Sequence, residues 1–317
     1  MKLIKKIAIV STGVIGASWA AFFVYKGFEV TAYDPAEDAE ANLINRVSIY
    51  LQDLYELDKG TYTSEDIAQI LSHLHFTHDL SQAVKDADFI QESGPERLDI
   101  KRALYLQITQ NCPADTIIAS SSSGLKVSDI QTDDIIHPER VVLGHPFNPP
   151  HLLPLVEIIG GEKTTAEYKE RARQFYQQLG KKPILINKEV KGHVANRLQA
   201  ALWREAFYLV SNDICSAEDV DTAITNGPGL RWAIYGPYLN MQLANHKGFK
   251  TAMHHLGEPM MQWWADMHPY QLNAEEIDKF DLETQKILEK LGDFDLQAKR
   301  DEALIDILSM RKNLELP

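Results

Sequence analysis

"KKIAIVSTGVIGASWAAFFVYKGFEVTAYD", residues 5–34, decides the fold. KKIAIV is a short run rich in β-branched residues, suited to a buried parallel strand. GASWAAFFVYKG has helical spacing and ends at Gly27, a C-cap. EVTAYD reads as the next strand. Strand, glycine turn, helix and strand within about thirty residues make one βαβ unit. The turn departs from the G-x-G-x-x-G/A pattern at its first position, where Ser11 precedes Gly13 and Gly16.

Further strands are read at HLHFTHD (73–79), ADFIQES (87–93), TIIAS (116–120), RVVLGHPF (140–147), PLVEIIGG (154–161) and KKPILINKE (181–189). ERLDIKRALYLQITQNC (96–112) is a helix between two of them. Residues 36–73 are charged and helical, strongest over AEDAEANLINRVSIYLQDLYELDKG, and are expected as a helical pair projecting from the sheet. Alternation of strand and helix to about residue 188 predicts a doubly wound, Rossmann-type α/β sheet over 1–188. After 190 the texture changes. HVANRLQAALWREAFYLVSN, SAEDVDTAIT, AEEIDKFDLETQKILEKLG and LQAKRDEALIDILSMRKNLEL are all helical, so 189–317 is expected to be an all-helical second domain.

Composition narrows the class. At 317 residues, with 44% hydrophobic and 24% charged side chains, the chain has enough apolar material for substantial cores. A net charge of −13 disfavours nucleic acid and anionic membrane surfaces as partners. MKLIKK followed by an apolar stretch imitates a signal peptide. That stretch is broken by Ser11, Thr12, Gly13 and Gly16 and runs straight into FEVTAYD, which argues against one. No stretch is apolar enough to span a membrane. Cys112 and Cys215 form neither a disulfide framework nor a C-x-x-C site, so the chain is expected in a reducing cytoplasm, without a metal.

Four stretches carry chemistry. In the glycine turn, Gly13 lets the backbone approach a pyrophosphate and Gly16 lets the helix pack against the sheet. Ser11, Gly13, Val14, Ile15 and Gly16 are therefore candidate cofactor residues. Serine at the first position costs ~1 kcal/mol where φ is unfavourable to a β-carbon. Asp34 ends the second strand, where a carboxylate accepts hydrogen bonds from both adenosine ribose hydroxyls and repels a 2′-phosphate, so the expected cofactor is NAD. ASSSSGLKVSDI (119–130) puts a serine run after a strand, at the carboxyl edge where ligands bind. VLGHPFNPPHLLPLVEIIGG (142–161) holds His145 and Glu157. If their strands are neighbours, the carboxylate fixes the imidazole tautomer and raises its basicity. KGHVANRLQAALWREA (191–206) opens a long helix with Asn196 and Arg197.

In this order and spacing, the stretches resemble the L-3-hydroxyacyl-CoA dehydrogenase superfamily. The family pattern is similar to G-x-G-x-x-G, E-x-x-x-x-K, S-N-T-S-S, H-F-F-N-P, L-V-E-V and G-F-x-x-N-R. This chain has Gly13 and Gly16, Glu96 and Lys101, SSSSG (120–124), HPFNP (145–149), LVEII (155–159) and GHVANR (192–197). The similarity covers essentially the whole chain. It implies His145 as catalytic base, Glu157 as the carboxylate that orients it, and Ser123 and Asn196 as groups holding substrate oxygens. It further implies Glu96 and Lys101 on the nicotinamide side of NAD, and a homodimer through the helical domain. Ser11 for Gly, Ser121 for Asn, Gly124 for Ser and Pro146 after His145 depart from the pattern, and none removes a catalytic group.

NGPGLRWAIYGPYLNMQL (226–243) departs from the acyl-CoA members, which resemble G-x-G-x-P-M-G-P-F there. The inserted LRWAIY resembles a free-acid branch, the L-carnitine and L-gulonate 3-dehydrogenases with lambda-crystallin. Arg231 is the discriminator, because a guanidinium fork binds a free carboxylate bidentately and has no such partner on a thioester. LRW and ALWREA resemble the carnitine enzymes. Trp232, Tyr235, Tyr238, Trp263 and Trp264 are candidates for an aromatic box around a trimethylammonium group. The expected reaction is NAD-dependent oxidation of the 3-hydroxyl of a small L-3-hydroxy acid, with carnitine first. L-gulonate and a short-chain 3-hydroxyacyl-CoA are the alternatives.

Overall fold

β1 (Lys6–Val10) alternates its side chains between two cores, which explains why it is apolar at nearly every position. Ile7 and Ile9 point into one cluster and Ala8 and Val10 into the other. The computed structural model describes residues 3–58 and 61–315. The sequence expectations at residues 1–2, 59–60 and 316–317 lie outside the described residues. The chain divides into two compact units, Met1–Arg197 and Leu198–Pro317.

In the first unit β1 is followed by α1 (Val14–Tyr25), β2 (Glu29–Tyr33), α2 (Ala39–Asp58), α3 (Ser64–Leu71), β3 (Leu74–Thr77), α4 (Leu80–Val84) and β4 (Phe89–Glu92). Then come α5 (Leu98–Asn111), β5 (Ile117–Ser120), α6 (Val127–Ile130), β6 (Val141–Pro146), β7 (Leu155–Gly160), α7 (Ala166–Gln178) and β8 (Lys182–Ile186). α8 (Ala195–Ser211) begins in this unit and continues into the next.

The sheet order is β3-β2-β1-β4-β5-β6-β7-β8. The order reverses direction between β1 and β4, and in a doubly wound sheet the ligand crevice opens at the carboxyl ends of the strands at that point. Residues of α1, α2 and α7 pack in one cluster against the sheet, and residues of α4, α5 and α6 in the other. β7 runs antiparallel to β6 and β8 runs parallel to β7, so after β6 the chain reverses through residues 147–154 without a crossover helix.

The helical pair expected to project from the sheet does not project. α2 buries Leu43, Val47, Leu51, Leu54 and Tyr55 in the same cluster as Trp19 and Phe23 of α1. Its apolar positions recur at i, i+4, i+8, which gives α2 a face that must be covered.

The second unit contains α9 (Ala217–Thr225), α10 (Pro228–Trp232), α11 (Pro237–Leu243), α12 (Phe249–Asp266), α13 (Ala274–Leu291) and α14 (Leu296–Asn313). Reciprocal capping boxes start α9, with Ser216 and Asp219, and α13, with Asn273 and Glu276. α7 and α12 were not anticipated from the sequence. α12 carries Pro259 in its interior, a residue that normally argues against a helix. Among the described residues, no helix is long and apolar enough to cross a membrane.

Candidate active site

Four loops meet the carboxyl edge of the sheet. The first is the glycine turn. Ser11 adopts φ +74°, so the position that a glycine usually fills is left-handed here as well, and serine accepts the strain. A β-carbon on Gly16 would lie 1.9 Å from the Ser11 carbonyl oxygen, so that glycine is required by the fold. A β-carbon on Gly13 would meet nothing within 4 Å, which leaves open space at the head of α1. No side chain caps α1, so the amides of Val14, Ile15 and Gly16 remain available to an anion. Asp34 follows β2, and its Oδ2 accepts from the amide of Thr12 at 2.8 Å and from the Thr12 hydroxyl at 3.2 Å. The carboxylate is thereby fixed beside the turn. An open cradle, uncapped amides and a held carboxylate after the second strand fit a dinucleotide.

The second loop follows β4. Glu92 is fully buried and accepts from Lys101 Nζ at 2.7 Å, Tyr105 Oη at 3.1 Å, Ser120 Oγ at 2.9 Å and the Gly94 amide at 2.6 Å. Lys101 is itself only 1% exposed. Its ammonium organises the end of β4, a partner that motif matching did not anticipate.

Glu96, in the loop between β4 and α5, reaches across to the third loop, the serine run after β5. Its Oε1 accepts from Ser122 Oγ at 2.6 Å and from the amides of Gly124 and Leu125 at 2.6 and 3.2 Å. Burial opposes its ionisation, but the Ser122 hydroxyl and the Gly124 amide outweigh that and hold its pKa below the usual range. Ser123, next along, is exposed.

The fourth group is the histidine pair. β6 and β7 are in register so that His145 faces Glu157 directly. His145 Nδ1 lies 2.8 Å from Glu157 Oε2, with the glutamate fully buried and the histidine 6% exposed. Oε1 of Glu157 accepts from the amides of Val194 and Ala195 at 2.9 and 3.0 Å, at the start of α8. Burial raises the pKa of Glu157. The hydrogen bond from His145 and those two amides overcome burial, so the carboxylate is held below its ordinary value. An ionised Glu157 accepts the Nδ1 proton, which leaves Nε2 of His145 as the nitrogen not engaged by the carboxylate. Asn196 lies in the first turn of α8, two residues past Val194.

His193 was missed by motif matching, although it stands at the phenylalanine of the family pattern. Its ring centroid lies 5.2 Å from that of His145, it is 4% exposed, and its Nε2 lies 3.3 Å from the Ser122 carbonyl. Burial, and then the charge of His145, lower its pKa.

Arg231 and Trp232 end α10 in the second unit and are exposed, and Tyr235 is half-buried in the segment that follows. Arg311 of α14 donates to the carbonyls of Ala233 and Ile234, closing that segment. Among the described residues, no cluster of His, Cys, Asp or Glu is arranged to hold a metal ion.

A doubly wound sheet, a dinucleotide cradle at its switch point and a carboxylate-held histidine together define an NAD-dependent dehydrogenase. The model of the 3-hydroxyacyl-CoA dehydrogenase NAD-binding domain matches residues 6–190, and that of the C-terminal domain of the same family matches 192–280. The chain belongs to the 3-hydroxyacyl-CoA dehydrogenase family. It is 41% identical over 306 residues to an L-carnitine dehydrogenase of Streptomyces griseus, covering 96% of this chain and 89% of that one. It is 38% identical over 319 residues to a 3-hydroxyacyl-CoA dehydrogenase of Gibberella moniliformis, covering 98% and 96%. Among solved structures it resembles 5-formyl-3-hydroxy-2-methylpyridine 4-carboxylic acid 5-dehydrogenase, an NAD+-dependent dismutase. The TM-score is 0.80 at 30% identity, over 98% of this chain and 99% of that one.

Proposed function

We propose that this enzyme oxidises the 3-hydroxyl of L-carnitine to give 3-dehydrocarnitine. The observation that carries the chemistry is the 2.8 Å contact between His145 Nδ1 and Glu157 Oε2. The L-carnitine dehydrogenase relatives near 40% identity support the substrate. In this reading Nε2 of His145 takes the hydroxyl proton, and Glu157 stabilises the imidazolium that forms. Ser123 and Asn196 hold the substrate oxygens. Bound NAD supplies the acceptor for the C3 hydride. In the reverse direction His145 returns the proton. Ser11, Gly13, Val14, Ile15 and Gly16 hold the pyrophosphate and Asp34 the ribose, while Glu96 and Lys101 shape the nicotinamide side from behind.

We assign cofactor binding to residues 1–188, and substrate binding with dimerisation to 189–317. Arg231 clamps the free carboxylate and Trp232 and Tyr235 face the trimethylammonium group. The unpartnered apolar side chains of the second unit, Trp203, Trp263 and Trp264 among them, support a homodimer. The free thiols Cys112 and Cys215 suit the cytoplasm. A short-chain 3-hydroxyacyl-CoA is the second reading, supported by the name of the Gibberella relative.

The test is NAD reduction with L-carnitine, L-gulonate, 3-hydroxybutyrate and 3-hydroxybutyryl-CoA, on wild type, His145→Ala and Arg231→Ala. We expect L-carnitine to be best. His145→Ala should lose about 10²–10⁴ in kcat with NAD affinity retained. Arg231→Ala should raise KM for the acid at least about tenfold, as a charge-assisted bidentate contact is lost. A preference for the thioester, untouched by Arg231→Ala, would replace this reading with the second one.

A further inference from the structure

His193 is a buried titratable group that the proposed reaction leaves unused. It lies in the turn before α8, where Gly192 and His193 are both left-handed, with φ +74° and +50°. That backbone is strained for a residue bearing a β-carbon. It persists only where the surroundings over-determine it. The next two amides are spent on Glu157 Oε1. The ring itself is enclosed between His145 and the carbonyl of Ser122. A carbonyl oxygen only accepts, so Nε2 carries the proton and Nδ1 of the neutral ring presents a bare lone pair. That lone pair is buried with no hydrogen-bond partner, which costs stability. A phenyl ring would fill much of the same space without an orphaned acceptor. Stability is therefore given up beside the base and the serine loop.

We infer that His193 is a positioning residue of the reaction, joining the serine loop that carries Ser123 to the turn whose amides hold Glu157. The two segments come from distant parts of the chain, after β5 and before α8. Glu96 grips Ser122 by its hydroxyl, at 2.6 Å, and His193 grips it by its carbonyl, at 3.3 Å. With both contacts the loop is fixed on two sides. Through His193 that fixed loop is registered against the His145–Glu157 pair, so the groups holding the substrate oxygen and the group taking its proton share one frame. Losing the ring leaves the Glu96 contact intact and releases the carbonyl side. The inference rests on His145 being the base.

The test compares His193→Phe and His193→Gln in the full-length enzyme, assayed with L-carnitine and NAD and followed by urea unfolding. His193→Phe should lose about ten- to a hundredfold in kcat, with KM changing far less and the urea midpoint unchanged or raised. His193→Gln, whose side-chain amide keeps a donor for the Ser122 carbonyl, should recover most of the kcat. Wild-type kcat in His193→Phe overturns the inference. So does a loss of activity that follows loss of folding and is not recovered by Gln. His145→Ala separates the two levels. If it is active, the underlying reading falls. If it is inactive while His193→Phe is fully active, only the role of His193 falls.

Discussion

The two units use their apolar side chains in opposite ways. In the first, Trp19, Phe23, Phe89, Tyr105 and Tyr176 are enclosed between the sheet and its helices, with almost no exposed area. In the second, Val210, Ala252 and Ile305 are the buried hydrophobic residues among those described, while Trp203, Trp263 and Trp264 are each at least half exposed. A sheet offers two broad faces for helices to cover, and the central strands of the first unit are enclosed on both. Amphipathic helices joined in series offer narrow stripes, and each needs a neighbour to cover it. The second unit therefore leaves far more of its apolar surface exposed than the first.

The contrast is broken most severely by opening the first unit at its buried ion pair. Lys101→Met leaves the Glu92 carboxyl enclosed with only neutral donors around it. Removing one partner of a buried pair costs about 3–5 kcal/mol, which urea unfolding would read as a large drop in midpoint. If the midpoint holds, the end of β4 is wetter than its geometry implies. In the second unit, Trp263→Ser tests whether the surplus surface is an interface. Large aromatics buried between chains typically contribute about 2 kcal/mol or more, so sedimentation should show a shift from dimer towards monomer. An unaltered sedimentation profile would make Trp263 ordinary solvent-exposed surface.

A pH-dependent effect comes from Lys181. It is buried against the rings of Phe22 and Trp19 and donates to the carbonyls of Pro150 and Leu153. Burial, with the charge of Lys26 adding to it, pushes its pKa down from 10.5 to about 7. Between those two values the folded chain binds fewer protons here than the unfolded chain, so stability rises with pH. Below pH 7 both forms are protonated and the contribution is flat. Unfolding at stepped pH should show wild type gaining on Lys181→Met between pH 7 and 10.5. A constant difference would mean the lysine is not titrating in that window. The smallest effect is expected at the glycine turn. Ser11→Gly relieves a left-handed serine and should stabilise by ~1 kcal/mol, seen as a small rise in Tm, with the Gly16 contact undisturbed.

The candidate site residues could be picked out of the sequence because their patterns are local. A β-branched run, two glycines and a terminal carboxylate specify a cofactor turn within one βαβ unit, since backbone geometry there depends on the residue types themselves. The orders of strand and helix followed from periodicity for the same reason. The α2–α3 pair was misplaced because its apolar face says that it must be covered and not by what. Lys101 and Glu92 are nine residues apart across a strand end and a helix, and neither residue signals that its charge is compensated. His193 carries no periodic signal, since a left-handed turn and an imidazole against another imidazole are both decided at long range. The sequence by itself determined the fold class, the cofactor turn and the family of the chemistry, all of which rest on local spacing. The tertiary structure decided the register of His145 on Glu157 and the two amides that hold Glu157. It also decided the burial of Lys101 and the placement of His193, because each depends on which distant segment is packed into contact.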